Sequence, residues 1–228
     1  MGEIVEFASN GSTAEGYLAR ASSGAGPGIV VIQEWWGLVP HIQEVCDRFA
    51  AEGITALAPD LYHGETTTEP DEAGKLMMAL NIDEAAKDMS GAVDFLGECD
   101  AVHGDEVGVV GFCMGGGLAL VLACTRPDQV KATVPFYGLI PWEHAQPDYT
   151  QLSGPVQGHY AEDDGMFDPA AVAALDATLT EAGKEHELFS YRGADHAFFN
   201  DTRPEVYDEE AAHQAWLRTL DFFRMHLG

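Results

Sequence analysis

A cysteine set among glycines stands where a buried strand would run directly into a helix. The stretch is Val107-Gly108-Val109-Val110-Gly111-Phe112-Cys113-Met114-Gly115-Gly116-Gly117, followed by the apolar Leu118-Ala119-Leu120-Val121-Leu122. A G-x-C-x-G-G turn in that setting has the form of a nucleophile elbow, with Cys where Ser is usual. So sharp a bend demands a strained backbone at the nucleophile and glycine beside it, because a Cβ would strike the strand or the helix. It also sets the sulfur at a helix N-terminus, where the macrodipole and free N–H groups favour a thiolate. Free cysteines are commonly buried packing residues. Cys46 and Cys124, on apolar helix faces, are read that way, and Cys99 ends a helix with no evident partner. At Cys113 the glycine spacing favours the nucleophile.

A thiol nucleophile needs a histidine base, and the base needs a third group to fix its tautomer. In hydrolases with such an elbow the chain order is nucleophile, acid, histidine, each on a loop leaving a strand. Of nine histidines, His196 alone fits well, because an alternating strand over 186–191 leads into Arg192-Gly193-Ala194-Asp195-His196. His213 and His226 fall in the last helix. His41 and His63 follow earlier strands, where they could line a pocket but break the order. His103, His144, His159 and His186 have no constellation around them. The acid belongs after a strand over 155–160, in Ala161-Glu162-Asp163-Asp164-Gly165, and chain order does not separate Asp163 from Asp164.

Strands that would carry these loops are expected over 28–33, 54–58, 106–110, 131–136, 155–160 and 186–191, from short runs bounded by Gly, Pro and polar turns. Helical spacing marks 39–52, ended by Gly53, then 71–80, 83–96 with Asp83 as N-cap, 114–125, 169–182 opened by Pro169, and 207–226. The first residues suit an antiparallel hairpin around Asn10–Gly11. Such alternation implies crossover units, hence a mostly parallel sheet flanked by helices on both faces, in one α/β domain over 1–228.

With 228 residues, 46% hydrophobic and 21% charged, the chain can bury a sizeable core. Its 11 Lys plus Arg against 38 Asp plus Glu give a net charge of −27. A surface that acidic repels phosphate backbones and anionic membranes. Nucleic-acid and membrane partners are therefore not expected; the same surface suits concentrated salt and an ordinary acidic cytoplasmic protein equally. The opening MGEIVEF has neither the basic patch nor the apolar run of a secretory signal, and the apolar stretch over 118–124 is too short to cross a bilayer. Four cysteines without a C-x-x-C pair argue against a zinc site or a disulfide framework. A cytoplasmic protein without metal or cofactor is expected, as a monomer or small homo-oligomer.

Gln33-Glu34-Trp35-Trp36-Gly37, Pro59-Asp60-Leu61-Tyr62, Gly111-Phe112-Cys113-Met114-Gly115-Gly116 and Gly193-Ala194-Asp195-His196-Ala197-Phe198 occur in that order, closed by Ala215-Trp216-Leu217-Arg218-Thr219-Leu220-Asp221-Phe222-Phe223. Together they resemble the dienelactone hydrolase family, the carboxymethylenebutenolidases. The resemblance implies an α/β-hydrolase fold and a Cys113-Asp164-His196 triad that opens a small lactone or ester through an acyl-enzyme. Asp164 is the better match to the family's acid loop, which departs from its pattern at Ala161 and Asp168, so Asp163 stays open. Glu34 matches a family glutamate that contacts the resting thiol, and a carboxylate there would keep the sulfur neutral, since like charges repel in a dry site. Trp35 and Met114 match the backbone donors of the oxyanion hole.

Arginines hold a substrate carboxylate in the family. Here Asn200 occupies one of those places, Arg203 is the nearest cation, and the region of the other arginine offers only Lys75. The aromatic residues Trp36, Tyr62, Tyr137, Trp142 and Phe198, with Trp35 and Phe199, follow expected strands and could wall a pocket for a small apolar ester or lactone. The alternative is a non-catalytic or thiol-sensing binding protein on the same fold.

Overall fold

A computed structural model of the chain describes residues 2–9, 11–140, 142 and 145–228. The short apolar runs pair into an eight-stranded sheet. Its strands are β1 (Glu3–Ser9), β2 (Ser12–Ala19), β3 (Gly26–Ile32), β4 (Thr55–Pro59), β5 (Val102–Phe112), β6 (Val130–Phe136), β7 (Val156–Ala161) and β8 (His186–Tyr191), in spatial order β1-β2-β4-β3-β5-β6-β7-β8. The β1–β2 and β2–β4 pairs are antiparallel, and every pair from β4–β3 through β7–β8 is parallel. The central strands β3, β4 and β6 are buried along almost their whole length, as strands covered on both faces must be.

The helices are α1 (Pro40–Ala51), α2 (Pro70–Ala79), α3 (Ile82–Gly97), α4 (Met114–Thr125), α5 (Pro169–Glu181) and α6 (Glu209–Leu227). Side chains alternate along β5, and its glycines show what lies on each side. A Cβ at Gly108 would meet Phe223 of α6 at 2.7 Å, and one at Gly111 would meet the Gly115 carbonyl of α4 at 1.9 Å. One face therefore carries α6 with α1, which meet where Phe49 packs on Trp216 at 4.5 Å. The other carries α4 with α3, tied by Arg126 to Ser90 and Asp94.

Most boundaries shift by a residue or two from the sequence reading, and three of the starts have a specific cause. β5 starts at Val102, because His103 to Glu106 are exposed and give no apolar signal. α3 starts at Ile82, so Asn81 caps it in place of Asp83, accepting from the Asp83 and Glu84 amides at 3.1 and 3.3 Å. α6 starts at Glu209, because Asp208 is its cap and accepts from the Ala211 amide at 3.0 Å. The hairpin forms with Ser9 opposite Ser12; Asn10 lies outside the described residues, as does His144. Among the described residues no helix is long and apolar enough to cross a membrane, and no group of three or more His, Cys, Asp or Glu converges as a metal site.

Candidate active site

The loops leaving the C-terminal ends of β3 to β8 gather at one edge of the sheet, where open parallel sheets bind ligands. Cys113 is the single residue between β5 and α4, with φ 56° and ψ −121°. An L residue held there stores about 1–3 kcal/mol of strain. Its amide donates to the Phe136 carbonyl at 3.0 Å and its carbonyl accepts from the Gly116 amide at 2.9 Å, which fixes the bend. A Cβ at Gly115 would lie 2.4 Å from the Ile32 carbonyl, so the helix can approach β3 this closely only with glycine. Met114 opens α4, where an amide has no intrahelical acceptor, and among the described residues no backbone acceptor elsewhere meets the amide of Met114 or of Trp35.

Asp164 is 6% exposed. Its Oδ1 accepts from the Met166 and Phe167 amides at 2.7 and 3.0 Å, and its Oδ2 lies 2.8 Å from His196 Nδ1. Asp163 is exposed, and its amide donates to the Ala194 carbonyl. It is Asp164, then, that faces the histidine. Burial pushes the Asp164 carboxyl up, but the His196 hydrogen bond and charge, with the two amides, outweigh it and hold the group below its usual value. For His196, burial pulls the ring down, while the hydrogen bond to Asp164 and then the Cys113 thiol raise it to about 10. Its Nε2 is buried without a well-formed hydrogen bond. Histidine and thiol are thus close enough to act on each other electrostatically, with no hydrogen bond of good geometry between them.

Glu34 lies beside Cys113 with its hydrogen bonds directed to other side chains. It is 1% exposed, and its carboxylate accepts from Asn200 Nδ2 at 2.8 Å and from the Tyr137 hydroxyl at 3.5 Å. No hydrogen bond joins it to Cys113, although the two line one cavity. A buried carboxylate must find donors, and these two side chains supply them. Tyr137, fully buried with φ 36°, packs edge-on against the His196 ring at 5.2 Å. Burial, then the Glu34 charge, then Cys113 push its phenol well above the usual value. Asn200 is 2% exposed, and its Oδ1 accepts from the Thr202 amide and hydroxyl. The only trace of that role in the sequence is a polar residue directly after two buried phenylalanines.

The remaining candidates divide. Trp35, Trp36, Arg203 and Met166, the last not foreseen, line the same cavity as Cys113 and His196. Arg203 lies over the Trp36 ring at 5.8 Å and pairs with Glu205 at 2.9 Å. Tyr62 is buried with its hydroxyl 3.4 Å from Met114 Sδ, on a turn built by Asp60, which accepts from the Tyr62 and Gly64 amides. Phe198 is a correction. It is fully buried against Tyr137 and Tyr191, so it packs beneath the site and does not face a ligand. Phe199 is likewise core, between Phe112 and Trp216. Trp142 is half-buried against the core and does not line the cavity of Cys113. Lys75 pairs with Glu72 on α2. Cys46 and Cys124 are buried, and Cys99 accepts from Arg20 at 3.5 Å.

A family model described as "Dienelactone hydrolase family" matches residues 14–227. "Protein usf" of Aquifex pyrophilus is 40% identical over all of both chains. A relative from Aquifex aeolicus (strain VF5), provisionally named a carboxymethylenebutenolidase, is 37% identical, again over all of both chains. A solved structure from Klebsiella pneumoniae subsp. pneumoniae, provisionally named a dienelactone hydrolase, matches with a TM-score of 0.87 at 28% identity, covering 99% of this chain and 100% of that one.

Proposed function

The chain belongs to the dienelactone hydrolase family, with its α/β-hydrolase fold, and on that premise we propose that it hydrolyses a small ester or lactone by nucleophilic catalysis from Cys113. With its pKa raised against burial to about 10 by Asp164 and Cys113, His196 holds the thiol proton on Nε2 as an imidazolium beside the thiolate, while Asp164 binds the other nitrogen and stabilises that charge. The thiolate attacks the carbonyl carbon, and the negative oxygen is met by the Met114 and Trp35 amides. Collapse expels the alkoxide or enolate, protonated by His196, and leaves a thioester on Cys113. Water, deprotonated by His196, then releases the acid and restores the thiol. In a lactone the leaving oxygen stays tethered and can itself assist that second step.

The observation that carries this reading is the 2.8 Å Asp164–His196 pair, buried beside a cysteine in a strained elbow. Glu34 stands next to the sulfur with both oxygens engaged, which supports a role in limiting negative charge there before substrate arrives. Among the described residues Arg203 is the only Lys or Arg lining the cavity, and Glu205 already pairs with it, so the site suits a neutral ester better than one dependent on an arginine anchor for a carboxylate. The test is turnover of p-nitrophenyl acetate and of small lactones. Hydrolysis that disappears in Cys113→Ala supports the proposal, and stoichiometric labelling of Cys113 without turnover refutes it.

A further inference from the structure

The cavity at the nucleophile encloses about 30 Å³, room for about one water and not for an ester. Space for a ligand lies across Tyr62. Its hydroxyl touches Met114, the residue after the nucleophile, while its ring is one wall of a second cavity of about 190 Å³. The other apolar walls are Leu61, Leu76, Ala79, Leu80 and Ala85; His63, Asn81 and Glu84 supply the polar remainder, and neither Lys nor Arg lines the space. The outer wall is α2 and the turn after it. Of its ten residues α2 buries only Ala73 fully, and a Cβ on its mid-helix Gly74 would meet nothing within 4 Å. So little buried apolar area holds a helix weakly.

We propose that the cavity behind Tyr62 receives an unbranched apolar acyl chain of the substrate, with the Tyr62 ring turning aside to join it to the Cys113 site. The proposal rests on the hydrolase reading of Cys113 and adds the substrate class: esters of short aliphatic acids. Each methylene buried should raise kcat/KM by up to about fourfold until the space is full.

Two readouts separate the proposal from the reading beneath it. One is kcat/KM for p-nitrophenyl esters from acetate to hexanoate. The other is the rate at which N-alkyl iodoacetamides of the same chain lengths alkylate Cys113, which needs no turnover. Both should climb with chain length in the wild type. Leu80→Trp, which fills the cavity, should flatten both series while leaving the shortest reagents within about twofold, and Leu76→Ala should move the optimum to longer chains. A flat wild-type profile in both assays, or a slope that neither variant alters, overturns the proposal even if acetate is hydrolysed. Alkylation that climbs and responds to both variants without any ester turnover sustains the cavity and refutes the hydrolase reading alone.

Discussion

Asp164→Asn changes a single charge and tests the centre of the proposed chemistry. In the wild type the carboxylate, 2.8 Å from Nδ1, is the leading influence that lifts His196 from 6.5 to about 10 against the opposing effect of burial. With an amide there, burial is opposed by the thiol alone, and each unit lost from the ring's pKa is about 1.4 kcal/mol of imidazolium stabilisation. The amide can also donate to Nδ1, which selects the tautomer whose Nε2 carries a hydrogen and cannot accept the thiol proton. In the Ser-His-Asp template that exchange lowers kcat by about four orders of magnitude, and a loss of that size is expected here. The loop should survive, since the amide oxygen can still accept from Met166 and Phe167. The assay is kcat/KM on p-nitrophenyl acetate across neutral and alkaline pH, with Asp163→Asn as the control. That exposed residue should stay within about twofold of wild type. If Asp164→Asn keeps more than about a tenth of wild-type activity, or Asp163→Asn falls as far, the assignment of the acid is wrong.

Three further outcomes follow from the geometry. Because the folded pKa of His196 is raised, its contribution to stability is complete below 6.5 and declines as pH rises towards about 10; urea midpoints should fall across that window, and His196→Gln should flatten the trend. Gly115→Ala places a methyl 2.4 Å from the Ile32 carbonyl, which α4 and β3 cannot both accommodate, so a loss of about 3 kcal/mol or more is expected in denaturant titration. Asn200→Asp sets a second buried carboxylate against Glu34, where the amide now stands 2.8 Å away; stability should drop by about 3–5 kcal/mol at neutral pH and recover on acidification, as one proton comes to be shared.

The elbow was readable in the sequence because its constraint is local. Gly111 and Gly115 are required by atoms within a few residues or on the adjacent strand, and an apolar run on either side announces strand and helix. His196 was readable because chain order left one candidate. The choice between Asp163 and Asp164 was not, since neighbouring residues in a tight turn point opposite ways and the two amides that settle the matter lie downstream. Phe198 misled for a related reason: an aromatic after a strand suits a pocket or a core equally, and the rings that bury it come from β6, β8 and the residue after β6. Asn200 was opaque as a partner of Glu34 because 166 residues separate them, and only the completed sheet brings β3 and the loop after β8 together.

The backbone points to the same edge without reference to any motif. Among the described residues four non-glycines have positive φ: His63, Cys113, Tyr137 and Ala197. They lie on the loops leaving β4, β5, β6 and β8, all at the C-terminal edge of the sheet. Two of them are neighbours by construction. Phe112 pairs with Phe136 in the β5–β6 register, so Cys113 and Tyr137 are the next residues on adjacent strands, and both turn into the left-handed region at the same level. The Cys113 amide is bound to Phe136 and the Tyr137 amide to His159 at 2.7 Å, so each bend is held by the strand beside it. Strain of this kind persists only where the surroundings over-determine it. Here the sheet itself does so, and the strained pair faces Glu34 and His196 as one rigid unit. A mobile loop could bring the same side chains together but could not hold them against that strain, whereas Cys113 and Tyr137 are the first residues after their strands, where the sheet still holds the backbone.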